Sequence, residues 1–332
     1  MRAFVFVVVW SLWSMGPAQA QGSKGAAQVR SALDRGKALV ALRKCGTFLA
    51  RGGDRAVFIP LRAEAYNKLG EYAAARSDAA EALALDPGNA ATVMQSGIAF
   101  LGMHQADSAI LRFHSLPASP ERDLRLAMAY GMAHRCTEAL PLLTALITKS
   151  PAPNALRERG ACYAQLGDST NARMDLDQAI ALAPRDQVNW NSRGFHRWAA
   201  FGDHNRAIAD YDQAIKFNPN YSFALNNRGY SWLQLDELRK AERDIELAGR
   251  KNNSNPYVQR NLGMLASKKG ATKEACAHFR EAMAMGGTPL YGNELSELLK
   301  DCPTVPVPQD LPKDGPAIPR PQRNAPGGSN AP

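Results

Sequence analysis

The fold is decided by one short segment, Arg159-Gly160-Ala161-Cys162-Tyr163, because related segments recur along the chain in a fixed phase. Two of them, Asn227-Arg228-Gly229-Tyr230-Ser231-Trp232 and Asn261-Leu262-Gly263-Met264-Leu265, align with the first on a shared glycine. Gly194, in Ser192-Arg193-Gly194-Phe195, belongs to the same series, so the four glycines are almost evenly spaced. Their period of about 34 residues is the sequence signature of a solenoid built from repeated units.

The same period governs the other positions of the unit. Upstream, Ala63 and Gly97 are separated by the same interval as Gly160 and Gly194. An alanine follows each small residue: Ala75, Ala109, Ala139, Ala172, Ala207, Ala241 and Ala275. Larger apolar residues usually come next, and prolines close several units: Phe113, Leu143, Leu176, Tyr211, Ile245 and Phe279, then Pro87, Pro151, Pro184 and Pro219. Small residues let helices approach closely, large ones fill the space between pairs, and proline ends a helix. The pattern therefore predicts antiparallel helix pairs.

This template resembles the tetratricopeptide repeat, a helix pair with small residues at fixed places and a proline near its end. The resemblance covers about Ala56 to Thr288, most of the chain. It implies an all-α, right-handed superhelical solenoid of about seven antiparallel helix pairs with terminal capping helices. It also implies a concave groove lined by the first helix of every pair.

Three departures from the period mark irregular units. Gly97 and Ala127 are closer together than the period requires, so the second unit is short. The fifth unit has one extra residue after Gly194. Pro60 lies early in the first unit, whose first helix we expect to start near it.

Capping segments are expected where a stack of repeats ends, because the terminal units would otherwise expose an apolar face. Residues 21–55 are predicted to form an N-terminal cap, in which Ala38–Ala50 is the second helix of an incomplete leading unit. Residues 56–302 are predicted to form the solenoid, closed by a helix over 290–302.

The two ends of the chain are predicted to lie outside the solenoid. Residues 1–20 combine a cationic start, an apolar run and an A-x-A close, which is typical of a secretory signal peptide cleaved after Ala20. The apolar run is too short for a membrane span, which needs about 20 residues, so we expect no stable membrane insertion after cleavage. The processed protein, starting at Gln21, is then periplasmic or secreted. Residues 303–332 contain nine prolines and no aromatic residue, which predicts a disordered tail.

Enzyme signatures are missing from the sequence. It contains no GxSxG, Walker, GxGxxG or HExxH motif, and no two of its six histidines are spaced to share a helix face across one turn. We therefore expect no catalytic, cofactor-binding or metal site. The formal charge is +9, but Lys and Arg are interspersed with Asp and Glu and form no run of five. This pattern favours a solvated surface over a nucleic-acid interface.

Aromatic and amide residues recur at the places that the resemblance turns inward. On the fifth to seventh units these are Asn191, Phe195, Trp198, Phe223, Asn226, Asn227, Tyr230, Tyr257, Arg260, Asn261 and Met264. On the second and third units they are Met94, Ile98, Leu101, Leu124, Met128 and Met132. Aromatics supply binding hot spots, and amides can both donate to and accept from an extended peptide backbone. The same aromatics could instead be core residues between neighbouring units.

We therefore predict a non-enzymatic scaffold or adaptor that binds a protein or an extended peptide through its concave groove. The alternative is a structural subunit of a cell-envelope assembly whose groove is occupied by its own chain. A third possibility is a glycan strand as ligand, since aromatic walls and amides also suit sugars. The oligomeric state does not follow from the sequence.

Five cysteines remain after the signal peptide, and export would place them in an oxidising compartment. In a helical-pair solenoid, antiparallel packing brings the start of the last unit's second helix close to the end of the closing helix. This placement predicts a disulfide between Cys276 and Cys302. A bridge between Cys136 and Cys162 matches in height less well, and Cys45 is then the odd thiol. Both members of the first pair could also be only small packing residues.

Overall fold

A computed structural model of the protein describes residues 17–252, 255–285 and 294–303. Within these ranges the regular structure is helical and no strand is present. The α-helices are α1 (Pro17–Asp34), α2 (Ala38–Ala50), α3 (Arg55–Leu69), α4 (Tyr72–Leu85), α5 (Ala90–Gly102), α6 (Ala106–His114), α7 (Pro120–Met132), α8 (Cys136–Lys149), α9 (Pro153–Gln165), α10 (Ser169–Leu182), α11 (Gln187–Arg193), α12 (His204–Phe217), α13 (Ser222–Gln234), α14 (Leu238–Lys251), α15 (Pro256–Lys268), α16 (Thr272–Ala284) and α17 (Glu294–Lys300).

Consecutive helices pack against each other along the whole array, from α1 on α2 to α16 on α17. The seven predicted units are the pairs that begin with α3, α5, α7, α9, α11, α13 and α15. First helices of neighbouring units also pack side by side, as α3 does on α5 and α13 on α15. The predicted all-α solenoid of antiparallel pairs is confirmed. Its first helices form one continuous face.

The spacing of small and large residues explains how the two helices of a unit meet. A Cβ added to Gly160 would lie 2.9 Å from Cγ of Leu176, and one added to Gly194 would lie 2.6 Å from Cε1 of Tyr211. Both large side chains are fully buried. The glycine is required because the large residue of the second helix occupies the space that a side chain would fill.

Proline sets the end of the second helix in four units. The helices α4, α8, α10 and α12 each end two positions before a proline: Pro87, Pro151, Pro184 and Pro219. Proline clashes with the preceding turn and restricts the residue before it to extended backbone, so the helix must end there.

The irregular units are accommodated by local changes in helix geometry. In the second unit the missing residues shorten the second helix, since α6 has nine residues where α4 and α8 have 14. In the fifth unit the extra residue lies in a π-helical segment, Gly194–Trp198, followed by a 3₁₀ turn over Ala199–Phe201. A π turn adds one residue while the helix keeps its direction.

Two expectations about the N-terminal helices need correction. The helix of the first unit does not start near Pro60 but at Arg55, where the Asp54 side chain accepts a hydrogen bond from the Ala56 N–H at 2.9 Å. Pro60 is the sixth residue of α3, so it removes the backbone bond that its N–H would otherwise donate to the Ala56 carbonyl, and the helix continues through it. The leading unit also has a first helix, because α1 packs against α2 and α3.

The terminal segments lie mostly beyond the described residues. Of the predicted signal peptide, residues 1–16 are outside them, and of the predicted tail, residues 304–332 are outside them. Cleavage after Ala20 and disorder of the tail therefore stay predictions. In the described part of the chain, no helix combines the length and the apolar character needed to cross a membrane.

At the C-terminal end, α17 packs on α16 and buries Leu295. Cys276 at the start of α16 and Cys302 just after α17 form a disulfide, with Cα atoms 5.6 Å apart. The bridge and the apolar contact of Leu295 with Phe279 and Ala282 in one cluster attach the closing helix to the last full unit.

Candidate binding groove

The face formed by the first helices contains a cavity of about 340 Å³ in the N-terminal half of the solenoid. Its walls come from α5, α7 and α9 and from the π-helical segment of the fifth unit, with Tyr72 at its edge. Four of the six inward residues predicted on the second and third units line it: Ile98, Leu101, Met128 and Met132. The other two, Met94 and Leu124, are partly buried and pack against the core beside it.

Four polar side chains line the same cavity: Arg125, Glu158, Gln165 and His196. Desolvation raises the pKa of Glu158 above its usual value, an effect that the nearby guanidinium groups of Arg157 and Arg125 oppose. Burial, together with the charge of Arg157, lowers the pKa of His196 to about 4. The imidazole is therefore neutral at pH 7 and can both donate and accept a hydrogen bond.

Arg125 is held in this cavity without a complete set of partners. Its Nε is buried and has no hydrogen-bond partner among the described residues. Arg157, by contrast, donates to Oδ1 of Asn189 at 2.9 Å. A buried donor without an acceptor is unfavourable, so Arg125 would gain from a ligand that brings a carbonyl or carboxylate oxygen.

In the C-terminal half, the predicted asparagines hydrogen-bond to one another. Nδ2 of Asn227 donates to Oδ1 of Asn191 at 3.1 Å, and Nδ2 of Asn261 donates to Oδ1 of Asn226 at 3.0 Å. Arg260 donates to Asn261 and, through two nitrogens, to Glu294 of α17. Asn226, Arg260 and Asn261 are all buried. The amide ladder thus joins neighbouring units to each other.

Most of the predicted aromatic side chains pack within the protein, and one of them is exposed to solvent. Nε1 of Trp198 donates to Asp210 at 2.9 Å, and its ring lies against the guanidinium groups of Arg197 and Arg206. Phe195 packs edge-on against His196. Met264 is partly buried between two core clusters. Only Phe223 among the predicted aromatics is largely exposed, at 47%.

Two tyrosines make longer-range contacts. Tyr230 packs between His204 and the guanidinium of Arg260. Tyr257, which is buried, packs edge-on against His104 in the turn between α5 and α6, with ring centroids 6.4 Å apart. The second unit therefore contacts the seventh, so the curvature of the described solenoid brings distant units together across the groove.

A ladder of buried ion pairs was not anticipated from the sequence. In four units an arginine directly before the small residue of the first helix bonds through two nitrogens to a buried aspartate of the second: Arg62–Asp78, Arg159–Asp175, Arg193–Asp210 and Arg228–Asp244. Arg193 and Arg228 also reach an aspartate of the preceding unit, Asp177 and Asp212. The sequence signal for these pairs was an arginine before the small residue and an aspartate 16 or 17 residues further along the chain.

Three cysteines are free thiols, and all are buried. Burial raises the pKa of Cys45 to about 11. Cys162 lies in the cavity wall, and Sγ of Cys136 lies 3.2 Å from Oε1 of Gln165, another residue of that wall. No group of three or more histidine, cysteine or acidic residues that could hold a metal ion occurs in the described ranges.

Comparisons with known proteins agree with this architecture. One family model described as tetratricopeptide repeat matches residues 124–187, and a second with the same description matches residues 61–89 and 200–221. A search of curated protein sequences found no significant match.

Several solved structures have the same fold. A tetratricopeptide repeat protein from Parabacteroides merdae matches at a TM-score of 0.54 and 17% identity, over 74% of this chain and 98% of that one. The human IFIT1 dimer with PPP-AAAA matches at 0.60 and 13%, over 85% and 78%. The APC/C hetero-tetramer Cut9–Hcn1 matches at 0.54 and 17%, over 87% of this chain and 57% of that one, so the chain spans little more than half its length.

At these identities the structural matches show the fold alone. Together with the paired helices and the shared inner face, they define a solenoid of helical repeats. Segments of the chain thus match models of the tetratricopeptide repeat, and its fold is similar to that of tetratricopeptide repeat proteins.

Proposed function

We propose that this protein is a non-enzymatic scaffold that binds an extended peptide segment of a partner protein in the cavity between α5, α7 and α9. The single observation that carries the proposal is the combination, in one cavity, of an apolar wall with a buried Arg125 Nε that has no partner among the described residues. Sites that bind ligands are mostly apolar with a few oriented polar groups, and this cavity has that composition.

The chemistry of the cavity suits a peptide better than a purely apolar ligand. Met128 and Met132 are flexible and polarisable, so they can pack around differently shaped side chains. The Nε–H of Arg125 can donate to a main-chain carbonyl, and the carboxylate of Glu158 can accept from a main-chain N–H. The expected ligand thus places one apolar side chain between the methionines and its backbone against Arg125 and Glu158.

A structural subunit with an occupied groove is the second candidate. The observation that favours it is the amide and aromatic network of the C-terminal half, where Asn226, Arg260 and Asn261 are already paired. The two candidates differ in the N-terminal half of the groove, which is open to a partner protein in the first and occupied by the protein's own chain in the second.

Selection from a phage-displayed library of random peptides tests the first candidate. Peptides enriched on the wild-type protein are expected to lose at least about tenfold in affinity when Met128 is changed to Gln, because a buried apolar contact is replaced by an amide that must be desolvated. Met174→Gln is the matched control, since Met174 lies on the second helix α10 and is 59% exposed.

The peptide-groove proposal is wrong if enriched peptides bind Met128→Gln, Met174→Gln and wild type equally, or if no peptide is enriched. Circular dichroism of both variants controls for folding. A Trp198→Ala, Tyr230→Ala double variant extends the test to the C-terminal half. Because those rings pack against Arg197 and Arg260, we expect it to affect stability more than peptide binding.

Export is the second part of the proposal and rests on the segment from Met1 to Ala20. Protein purified from its native host is expected to begin at Gln21. N-terminal sequencing that finds Met1 on the mature protein would remove the periplasmic or secreted assignment.

A further inference from the structure

Positive charge is concentrated at one end of the solenoid. Residues 24–55 contain eight Lys or Arg and two Asp or Glu, a net charge of +6. Residues 56–302 contain 28 basic and 27 acidic residues, a net charge of +1. Two thirds of the formal charge of the chain therefore lies on the segment that forms α1 after Lys24, α2 and the turn into α3. We call this segment the basic end.

Few charges of the basic end are neutralised within the molecule. Arg30 pairs with Glu64 at 2.5 Å, and Arg55 pairs with Glu81. Six other cations form no ion pair in the described part of the chain: Lys24, Arg35, Lys37, Arg43, Lys44 and Arg51. All of them except Lys44, which donates to Gln28, are exposed.

The sequence of α2 adds to this imbalance. The helix contains no acidic residue, and its N-cap is Lys37, whose side chain makes no capping bond. A cation at a helix N-terminus is unfavourable because that end of the helix carries partial positive charge. Lys37 thus does not stabilise the helix that follows it, which points to a role outside the chain.

Two aliphatic side chains lie exposed among these cations. Leu39 is 50% exposed and Val40 is 42% exposed. Leu39 and Arg43 are one helical turn apart, so they share the outer face of α2. In the described structure this face of α2 is exposed to solvent.

We propose that the basic end docks on an anionic phospholipid surface. Lysine and arginine would contact headgroup phosphates, while Leu39 and Val40 enter the interfacial region. A face that combines Lys and Arg with aliphatic residues lies on a membrane without spanning it. A lipid surface fits better than an acidic protein, because the face offers aliphatic residues and no aromatic anchor of the kind that dominates protein interfaces.

The sequence before α1 supports the same partner. The apolar run of residues 3–13 ends only a short distance before α1 starts at Pro17. The basic end is the part of the solenoid that is closest along the chain to this apolar run, and the run would contact a membrane during export.

Vesicle flotation with the chain that begins at Gln21, the expected processed form, tests the proposal without the apolar run. The probes are vesicles of phosphatidylcholine alone and of phosphatidylcholine with phosphatidylglycerol at about 30%. Wild type is expected to float with the anionic vesicles at low salt, at least about fivefold more than with neutral ones, and to be released as the Debye length shortens above about 0.5 M salt.

A charge variant and a matched control identify the surface. Lys37→Gln, Arg43→Gln and Arg51→Gln together are expected to abolish flotation. The control removes three exposed cations of the repeat body that form no ion pair in the described structure, Arg173→Gln, Arg185→Gln and Lys216→Gln, and is expected to float like wild type.

Three outcomes overturn the proposal: equal binding to both vesicle types, no binding to either, or loss of binding that is the same in the two triple variants. Capture by immobilised poly-glutamate without any flotation also overturns it and would assign the face to an acidic protein instead. Circular dichroism of both triple variants separates loss of binding from loss of fold.

Discussion

Asp210 joins three elements of the fifth unit, and its replacement by alanine should destabilise the solenoid at that point. Its carboxylate accepts from Nε and Nη2 of Arg193, at 2.9 and 2.7 Å, and from Nε1 of Trp198 at 2.9 Å. The side chain is only 4% exposed. These bonds hold α12 against α11 and against the π-helical segment, where the extra residue disturbs the regular packing of the unit.

Removing one partner of a buried pair costs about 3–5 kcal/mol, because the other charge stays buried without a counter-charge. Arg193 keeps its contact to Asp177 at 2.8 Å and is itself 21% exposed, so the expected loss for Asp210→Ala is lower, about 2–4 kcal/mol. Asp212→Ala is the matched control. Asp212 lies on the same helix and bonds to Arg228 at 2.6 Å, but it is 51% exposed, and Arg228 keeps Asp244. The expected loss there is below about 1 kcal/mol.

Urea unfolding followed by circular dichroism measures the difference between the two variants. Hydrogen exchange should place the loss of protection in α11 and α12, because the bonds of Asp210 join these two helices. If the two variants unfold within about 0.5 kcal/mol of each other, the buried ion pairs do not hold the units together as argued. An Asp210→Asn variant, which keeps an acceptor oxygen but loses the charge, should fall between the two.

Three further predictions follow from single contacts. Folding lowers the pKa of His196 from its ordinary 6.5 to about 4, so the unfolded state takes up a proton first as the pH drops. The free energy of unfolding should therefore fall by at most about 3 kcal/mol between pH 6.5 and pH 4. His196→Gln should flatten that part of a stability–pH curve, and an unchanged slope would contradict the assignment. Gly194→Ala should cost about 1–3 kcal/mol in thermal unfolding, since the new Cβ would lie 2.6 Å from the Tyr211 ring, whereas Gly46→Ala, with no atom within 4 Å, should be neutral or stabilising. Cys276→Ser should release α17 with a loss of about 2–4 kcal/mol, seen as faster hydrogen exchange in α17, and unchanged exchange there would show that packing of Leu295 alone holds the helix.

Most of the fold could be predicted from the sequence, because the same residue types recur at the same positions of each unit. Small residues, a large apolar residue and a closing proline recur with the period, and their packing is local to one helix pair. The helix ends just before Pro151 and Pro184 required no information about distant parts of the chain. The start of α3 at Arg55 was missed because Asp54 can cap a helix that continues through Pro60, and the pattern alone does not decide between the two.

The sequence predicted which residues lie on the inner face of the solenoid, but not which of them line a cavity and which are buried against a neighbouring unit. Met128 and Asn226 stand at inward places of their units by the same argument, yet one lines an open cavity and the other is buried. The difference lies in what the next unit offers to each side chain. That depends on the curvature of the solenoid, which the contact between His104 and Tyr257 reflects and which no single repeat encodes.

The side chains that recur in each half of the groove explain why the asparagines of the C-terminal half pair with one another while the methionines of the N-terminal half line a cavity. An amide carries both a donor and an acceptor, so an asparagine at matching places of two neighbouring units can bond to its own counterpart, as Asn261 does with Asn226. A methionine has no such complementary partner, and packing one against another leaves the apolar surface of the pair open on the groove side. Arg125 and Glu158 differ from the buried ion pairs in the same way, since they approach each other without forming an ion pair in the described structure. In the N-terminal half of the groove, the buried Nε of Arg125 has no hydrogen-bond partner among the described residues. A ligand that brings an acceptor oxygen to it gains a hydrogen bond there, and the Met128→Gln test is directed at that half for this reason.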